Sequence, residues 1–119
     1  MSNGIREEDI RTAALFGSDA LEKLKKARVA VFGTGGVGGY ICESLARVGV
    51  GSLDIIDGDR VALSNINRQI VALHSTVGEP KVEVMKKRIL DINPDCRINA
   101  HFAFYKPDGD ELIDFSDFD

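Results

Sequence analysis

The residues whose spacing points most directly to chemistry are five glycines in the segment GTGGVGG, residues 33–39. Gly33, Gly35 and Gly38 fit the pattern GxGxxG, and Gly36 and Gly39 are additional. The pattern follows an apolar segment typical of a strand and precedes a segment typical of a helix, which is the setting of phosphate-binding glycines. Glycine lets the backbone turn sharply and approach a phosphate, whose charge the N–H groups of the helix start then receive. The alternative is a glycine turn that only packs a strand against a helix.

An aspartate stands where a bound nucleotide would present its ribose. Asp57 is the last residue of the predicted second strand and lies 19 positions after Gly38. Nucleotide-binding domains place a carboxylate for the ribose hydroxyls at this point. The glycines and Asp57 together predict a ligand with both ribose and phosphate. Asp59, two residues further on, either holds the following loop or faces solvent.

Two basic residues beyond that strand help to distinguish an NAD-dependent oxidoreductase from an enzyme that uses ATP. Arg68 lies in the polar cluster SNINRQ, residues 64–69, and Lys81 follows 13 positions later, directly after a proline. A nicotinamide-dependent oxidoreductase would use the glycines and Asp57 and has no evident need of these cations. An enzyme that drives a carboxylate onto the α-phosphate of ATP must stabilise charge on the departing pyrophosphate, a task suited to an arginine fork and a lysine charge. The alternative is two ordinary surface cations.

Apolar periodicity predicts the elements that position these residues. Gly17 ends the first helix, and Ser18 or Asp19 caps the second. Strands alternate with helices after residue 27, which indicates a parallel sheet. The predicted fold class is therefore α/β: the N-terminal half of a Rossmann-like, doubly wound parallel sheet with three strands, preceded by two N-terminal helices. In chain order, the predicted elements are helices over 5–15 and 20–27, a strand over 28–33, a helix after the glycines, a strand over 52–57, a helix over 81–92, a strand over about 96–104 and a short helical segment over 111–115.

Two of these helices are each predicted to carry an apolar stripe on one face, because apolar residues recur at helical spacing. The stripe of the helix after the glycines consists of Val37, Tyr40, Ile41, Leu45 and Val48. The stripe of the helix over 81–92 consists of Val82, Met85, Ile89 and Ile92.

The composition is that of one soluble globular domain, or part of one, without a basic field for nucleic acid. The 119 residues are 44% hydrophobic and 29% charged, with a formal net charge of −4, so any contact with RNA needs local patches. Cys42 and Cys96 lie 54 positions apart without metal-binding spacing and are predicted to be structural thiols. The N-terminus lacks the apolar stretch of a signal peptide, and no apolar run is long enough to span a bilayer, so a cytoplasmic protein is expected.

Three segments together resemble the adenylating domain of the ubiquitin-activating-enzyme-like superfamily, of the ThiF, MoeB and HesA type. They are GTGGVGG, IIDGDRVALSNINRQ and VGEPKVEVMKKRILDINPD, and the resemblance runs from about residue 11 to about residue 100. Within this superfamily, LFGSDALEKLKKARVAVFGTGGVGGY, SNINRQIVALHSTVG and INPDC are most similar to the tRNA threonylcarbamoyladenosine dehydratases. Those enzymes use ATP to activate the carboxylate of threonylcarbamoyladenosine in tRNA and close it to a cyclic form.

The resemblance implies a phosphate loop and a ribose ligand at the positions already noted. ATP with Mg would be the cofactor. The loop would be formed by Gly33, Gly35, Gly36 and Gly38, with Asp57 on the ribose.

The resemblance also implies roles for five residues outside the loop. Asn65 would help to hold the nucleotide, and Arg68 and Lys81 would contact the triphosphate. Gln69 matches the motif, with a less defined role. Arg11 matches an N-terminal arginine that reaches the ATP site of the partner subunit, which implies a homodimer; the alternative is a plain helix-surface arginine.

The superfamily's domain is longer than this chain. The aspartate that binds the metal of Mg-ATP is expected beyond residue 119, so the predicted organisation is an N-terminal helical segment, 1–27, and a nucleotide-binding domain, 28–119, truncated at its C-terminal end. In the doubly wound order the first strand also pairs with a fourth. The strand over 28–33 would then be an apolar edge, which we expect another strand or segment to cover. We do not expect the 119 residues alone to adenylate.

Three functions fit these residues. The first is ATP-dependent activation of a carboxylate, with cyclisation of threonylcarbamoyladenosine in tRNA as the reaction. The second is the same chemistry on the C-terminus of a ubiquitin-like sulfur-carrier protein, for thiamine or molybdopterin synthesis. The third is an NAD-binding oxidoreductase fragment or a nucleotide-binding domain without catalysis.

Overall fold

The described part of the chain is a three-stranded parallel sheet with helices, as predicted. The computed structural model describes residues 5–104, 116 and 118–119; the helical segment predicted over 111–115 lies outside them. Short 3₁₀ turns occupy Glu7–Asp9, Leu63–Asn65 and His74–Thr76. The main elements are α1 (Ile10–Phe16), α2 (Ser18–Lys26), β1 (Arg28–Phe32), α3 (Gly36–Val48), β2 (Ser52–Ile56), α4 (Lys81–Ile92) and β3 (Arg97–His101).

The sheet has the order β1-β2-β3, so β2 is central and buried along its whole length. Arg28 pairs with Ser52 at the start of the β1–β2 ladder, and Ser52 pairs with Arg97 at the start of the β2–β3 ladder. All three strands therefore end at the same edge, where β1 leads into the glycine loop and β2 leads into Asp57. This edge is where open α/β sheets bind ligands.

The apolar core lies between one face of the sheet and helices α3 and α4. Strand alternation places Leu53 and Ile55 on this face, and both are fully buried. The predicted stripe of α4 is confirmed, because Val82, Met85 and Ile89 are fully buried. Its fourth member, Ile92, is half-buried against the same core.

Most of the predicted stripe of α3 does not face the core. Val37, Tyr40 and Ile41 face outward, with Val37 73% exposed, and the helix buries Gly39, Cys42 and Ala46 instead. The physical reason is that small residues let two helices approach closely: a Cβ on Gly39 would lie 2.8 Å from the carbonyl oxygen of Thr34 and 3.5 Å from Met85 Cε. Val48 is also exposed, and Leu45 alone of the predicted five packs partly against the core.

Three predicted boundaries also differ from the structure. The first α-helix begins at Ile10 rather than residue 5, since residues 7–9 form the tighter 3₁₀ turn. The second helix begins at Ser18 itself after Gly17, without a side-chain cap, so Ser18 and Asp19 are not its caps. The third strand ends at His101, where the pairing with β2 stops.

The other face of the sheet carries a buried polar cluster centred on Asp54. Its carboxylate accepts hydrogen bonds from Arg28 (3.2 and 3.4 Å) and Asn99 (3.3 Å), and lies 3.0 Å from His101 Nε2. Burial alone raises the pKa of Asp54, but the hydrogen bonds from Arg28, His101 and Asn99 outweigh it and hold the pKa below its usual range. The central strand thus contains a charge whose partners all come from its neighbours.

Strand β1 is an edge of this sheet, as expected from the absence of a fourth strand in the described residues. Asp119 covers its start: the Asp119 N–H donates to the Arg28 carbonyl (2.8 Å), and the Arg28 N–H donates to the Asp119 carboxylate (2.8 Å). The Phe118 ring lies 4.2 Å from the Arg28 guanidinium. A cover over the rest of β1 stays a prediction.

Candidate functional site

The glycine loop turns between β1 and α3 in a way that requires glycine at two positions. Gly33 has φ of +87°, which residues with a side chain rarely adopt, and its N–H donates to the Ile56 carbonyl (2.7 Å). A Cβ on Gly38 would collide with the carbonyl oxygen of Gly33. No described side chain caps the start of α3, so its first N–H groups have no side-chain partner among these residues. This arrangement can receive a phosphate.

Asp57 fixes the glycine loop as well as facing the site. Its Oδ2 accepts hydrogen bonds from the Thr34 N–H (2.8 Å) and hydroxyl (3.1 Å), and its Oδ1 accepts one from the Asp59 N–H (2.8 Å). A carboxylate has about four acceptor positions, so one remains for a ribose hydroxyl. The sequence analysis missed Thr34, which is fully buried inside the loop. The sequence signal that could have identified it is a hydroxyl-bearing residue between two glycines of the loop.

A cavity of about 300 Å³ opens beside Asp57 at the ends of β1, β2 and β3. Two aromatic rings help to form it, and neither was identified from the sequence. Phe104 packs so closely on Gly58 that a Cβ there would collide with the ring. The cavity can accommodate a planar, apolar group next to the carboxylate. Its lining residues are Phe32, Gly33, Ile56, Asp57, Asp59, Ala103 and Phe104.

The polar cluster after β2 folds into a short turn held by Asn65. The Asn65 Oδ1 accepts the Ala62 N–H (2.9 Å), and its carbonyl accepts the N–H groups of Arg68 (3.1 Å) and Gln69 (2.9 Å). Asn65 is 8% exposed, so its clearest role is to shape this turn. Its Nδ2 donors are not used by these bonds.

Arg68 and Gln69 leave this turn in different environments. The Arg68 guanidinium is exposed and donates only through Nη1, to the Ser64 carbonyl (3.1 Å) and to Asn67 Oδ1 (3.0 Å). It pairs with no carboxylate of the described residues. Gln69 presses on the glycine loop, where a Cβ on Gly35 would lie 2.6 Å from Gln69 Oε1. That Oε1 is buried and accepts no hydrogen bond from the described residues, so within this part of the chain Gln69 presents an unsatisfied acceptor to the loop.

Lys81 begins α4 and is only 6% exposed. Its backbone N–H donates to the Asp59 carbonyl (3.0 Å), so the Asp59 backbone helps to hold the loop, whereas the residue itself is exposed. Across residues 5–104, 116 and 118–119, no carboxylate lies within 4 Å of the Lys81 ammonium. The side chain is thus almost wholly covered, and its ammonium has no anionic partner among these residues. Met85, one turn further along α4, packs beside Gly39 just after the loop, so the lysine lies on the helix face that meets the loop.

Arg11 is not brought to this site. It lies exposed on α1, and none of the hydrogen bonds or ion pairs between described residues involves it. The structure therefore joins the glycines, Asp57, Gln69 and Lys81 around one edge of the sheet.

Neither metal-binding nor reactive cysteine chemistry is evident in the described part of the chain. No three His, Cys, Asp or Glu side chains there converge on a point that could hold a metal ion. Cys42 and Cys96 are both buried and free, and burial raises the pKa of Cys42 to about 12. The thiols therefore stay neutral and pack in the core, as predicted. None of the described helices is long and apolar enough to cross a bilayer.

A parallel sheet, a glycine loop at the start of a helix and a carboxylate after the second strand define a nucleotide-binding α/β domain. Residues 8–119 match the sequence model of the ThiF family, and the chain belongs to that family.

Relatives with established names share most of this chain. The tRNA threonylcarbamoyladenosine dehydratase of Bacillus subtilis is 52% identical over 95 residues, covering 80% of this chain and 37% of that protein. The Escherichia coli molybdopterin-synthase adenylyltransferase is 43% identical over 83 residues, covering 70% of this chain and 33% of that protein. The chain thus spans about a third of the length of these relatives.

A solved structure shows the same fold with a nucleotide bound. The crystal structure of the E. coli tRNA N6-threonylcarbamoyladenosine dehydratase in complex with ATP superposes with a TM-score of 0.85 at 44% identity. The match covers 89% of this chain and 44% of that chain. The Rossmann-like fold class predicted from the sequence is confirmed.

Proposed function

We propose that this chain forms the nucleotide-binding part of an ATP-dependent adenylating enzyme that cyclises threonylcarbamoyladenosine in tRNA. The observation that carries the proposal is Lys81, a buried cation without a carboxylate partner among the described residues, at the edge of the sheet that bears the glycine loop. A triphosphate supplies the missing anion. A nicotinamide dinucleotide places its pyrophosphate at the loop and leaves Lys81 and Arg68 without a task.

The proposed reaction has one bond made and one broken at phosphorus. The substrate carboxylate attacks the α-phosphate of ATP, an acyl–adenylate bond forms, and the bond to pyrophosphate breaks. Negative charge grows on the leaving pyrophosphate, so fixed cations lower the barrier. Lys81 supplies a point charge and Arg68 a planar fork whose remaining N–H groups are free of described carboxylates.

The remaining residues orient the nucleotide. The N–H groups at the start of α3, behind Gly33, Gly35, Gly36 and Gly38, bind phosphate oxygens. Asp57 accepts a ribose hydroxyl with its spare lone pair. Asn65 and Gln69 complete the polar wall opposite the loop, and the cavity beside Phe104 holds the base. Magnesium would neutralise the phosphates, but the described side chains do not form a site for it, so no step here depends on it.

The tRNA substrate is proposed from similarity, since the B. subtilis dehydratase is more similar to this chain than the molybdopterin-synthase adenylyltransferase is. The second candidate, activation of a sulfur-carrier C-terminus, is favoured by that second relative. Both use the same ATP site and differ only in the carboxylate that attacks. A tRNA substrate and two free thiols both fit a cytoplasmic protein.

We further propose a homodimer in which Arg11 reaches the partner's ATP site. The exposed apolar side chains of α3, at Val37, Tyr40 and Ile41, support an interface of this kind. In solution, light scattering of the protein that carries this segment should give twice the monomer mass. A protein that is monomeric and still forms adenylate would refute both the proposed dimer and the proposed role of Arg11.

Nucleotide binding tests the proposal directly. We expect ATP to raise the melting temperature of the wild-type protein and NAD to leave it unchanged. Stabilisation by NAD alone would refute adenylation.

Arg68→Ala should lower the rate of adenylation about tenfold to a hundredfold, because it removes a charged hydrogen bond to the nucleotide. Pyrophosphate release that depends on tRNA carrying threonylcarbamoyladenosine, rather than on a sulfur-carrier protein, separates the two candidate substrates.

A further inference from the structure

Arg60 lies where three segments of the candidate site meet. Its backbone forms an antiparallel bridge with Pro80, the residue before Lys81. Its Nη1 donates a hydrogen bond to the Gly78 carbonyl (3.0 Å). Its guanidinium carbon lies 5.1 Å from the centre of the Phe102 ring, within the range of a cation–π contact. Arg60 thereby joins the segment after β2, the start of α4 and the end of β3.

The backbone around Arg60 determines where Lys81 lies. Three hydrogen bonds connect the two segments: Lys81 N–H to the Asp59 carbonyl (3.0 Å), Val61 N–H to the Glu79 carbonyl (2.9 Å), and Gly78 N–H to the Val61 carbonyl (2.8 Å). This short ladder begins two residues after Asp57. The ribose-side carboxylate and the phosphate-side lysine are therefore linked through one strip of backbone, and the Arg60 side chain lies across it.

The Arg60 side chain forms no ion pair with another described residue. No carboxylate of the described residues lies within 4 Å of it, in contrast to Arg47, whose guanidinium pairs with Glu43 at 2.8 Å. The Arg60 guanidinium donates one hydrogen bond to the Gly78 carbonyl, and its face lies over the Phe102 ring. Phe102 stands two residues before Phe104, which lines the cavity beside Asp57. The contact with Phe102 therefore ties the cavity wall to the same strip of backbone.

We propose that Arg60 is a positioning residue for the nucleotide site: it holds Asp57, Lys81 and the Phe104 wall in their relative places without contacting the nucleotide. The inference rests on the proposed function, because positioning matters only if ATP binds between these groups. A clamp that acts before ATP arrives affects binding more than the chemical step, since it reduces the ordering that the ligand must otherwise impose.

The test compares Arg60→Ala with Arg60→Lys and Arg47→Ala in the protein that carries this segment. We expect Arg60→Ala to raise KM and Kd for ATP about three- to tenfold, with kcat within about twofold of wild type. Arg60→Lys should recover most of this loss, because an ammonium can still lie over Phe102 and donate to Gly78. The matched control Arg47→Ala removes an exposed arginine on α3 and should leave ATP binding unchanged.

A double-mutant cycle guards against a general loss of stability. Phe102→Leu removes the ring and keeps the chain apolar, and its effect on ATP affinity should be smaller in the Arg60→Ala background than in wild type. A lowered melting temperature with unchanged ATP affinity would overturn the proposal, as would additive effects in the cycle. If wild type itself shows no ATP binding, the proposed function fails first and the role of Arg60 fails with it.

Discussion

Both ends of the parallel sheet contain a buried charged side chain, but only one of the two has an oppositely charged partner among the described residues. At the N-terminal end, Asp9 is 1% exposed and its carboxylate pairs with Arg6 at 2.7 Å. The Arg6 guanidinium also donates to Asn93 Oδ1 (2.7 Å) and to Asp95 (3.2 Å). At the C-terminal end, Lys81 is buried to a similar degree with no described carboxylate near it.

This difference suggests a structural role for the Arg6 cluster and supports the proposed ligand-binding role of Lys81. The Arg6 cluster ties the N-terminal segment to the ends of α3 and α4, and its hydrogen bonds raise the pKa of Arg6, with the bond to Asp9 as the largest cause. Charges that satisfy one another stabilise a fold and need no ligand. A buried lysine with no described carboxylate near it is the feature on which the proposed ATP site rests. The two ends should therefore respond differently to mutation.

The largest expected effect is on stability at the N-terminal end. Arg6→Ala leaves the Asp9 carboxylate buried without its partner, which typically costs about 3–5 kcal/mol. Urea unfolding should show this loss, with the ATP-induced change in melting temperature preserved. Lys23→Ala, on the exposed face of α2, is the matched control and should have little effect. An equal loss of ATP binding in Arg6→Ala would mean that the two ends are not independent.

The next effect is on binding at the C-terminal end. Lys81→Met keeps the apolar stem and removes the charge, so ATP affinity should fall about 10- to 100-fold. Stability without ATP should not fall, since the substitution removes a buried unpaired cation. Calorimetric titration with ATP and thermal unfolding without it measure the two quantities. A lowered melting temperature with unchanged ATP affinity would make Lys81 a structural residue like Arg6.

A smaller effect concerns Asp54, which lies between the two ends. Because its pKa is lower folded than unfolded, its contribution to stability is present above the unfolded pKa of about 3.9 and is lost as pH falls through the folded value. The free energy of unfolding should decline from pH 5 toward pH 3, and Asp54→Asn should make that decline shallower. An identical slope in wild type and Asp54→Asn would show that other carboxylates account for it.

The smallest effect is at Cys42, on the buried face of α3. With a pKa of about 12 and full burial, its thiol should not react with a disulfide reagent at pH 8 while the protein is folded. The labelling rate should follow unfolding as urea is added. Fast labelling of the native protein would contradict the tight approach of α3 to α4 at Gly39.

Local patterns were sufficient to predict much of this molecule. The strands, the glycine turn and the stripe of α4 follow from residue types at fixed spacing, because Val82, Met85 and Ile89 repeat with the period of a helix. The stripe of α3 could not be found in this way. Its outward residues are as apolar as its inward ones, and only the packing of Gly39 against Met85 decides which side faces the core.

In the candidate site, too, some features follow from local sequence patterns and others only from tertiary packing. Gly33, Asp57, Arg68 and Lys81 were visible as residue types in order. The sequence by itself determined the α/β fold and the glycine turn, and it led to the proposal of ATP-dependent chemistry. Only the tertiary structure decided that Lys81 is buried with no described carboxylate near it, that Thr34 donates to Asp57, and that Phe104 forms a cavity wall. Spacing along a chain determines which backbone shapes are possible, whereas burial and pairing depend on neighbours that are far apart in the sequence.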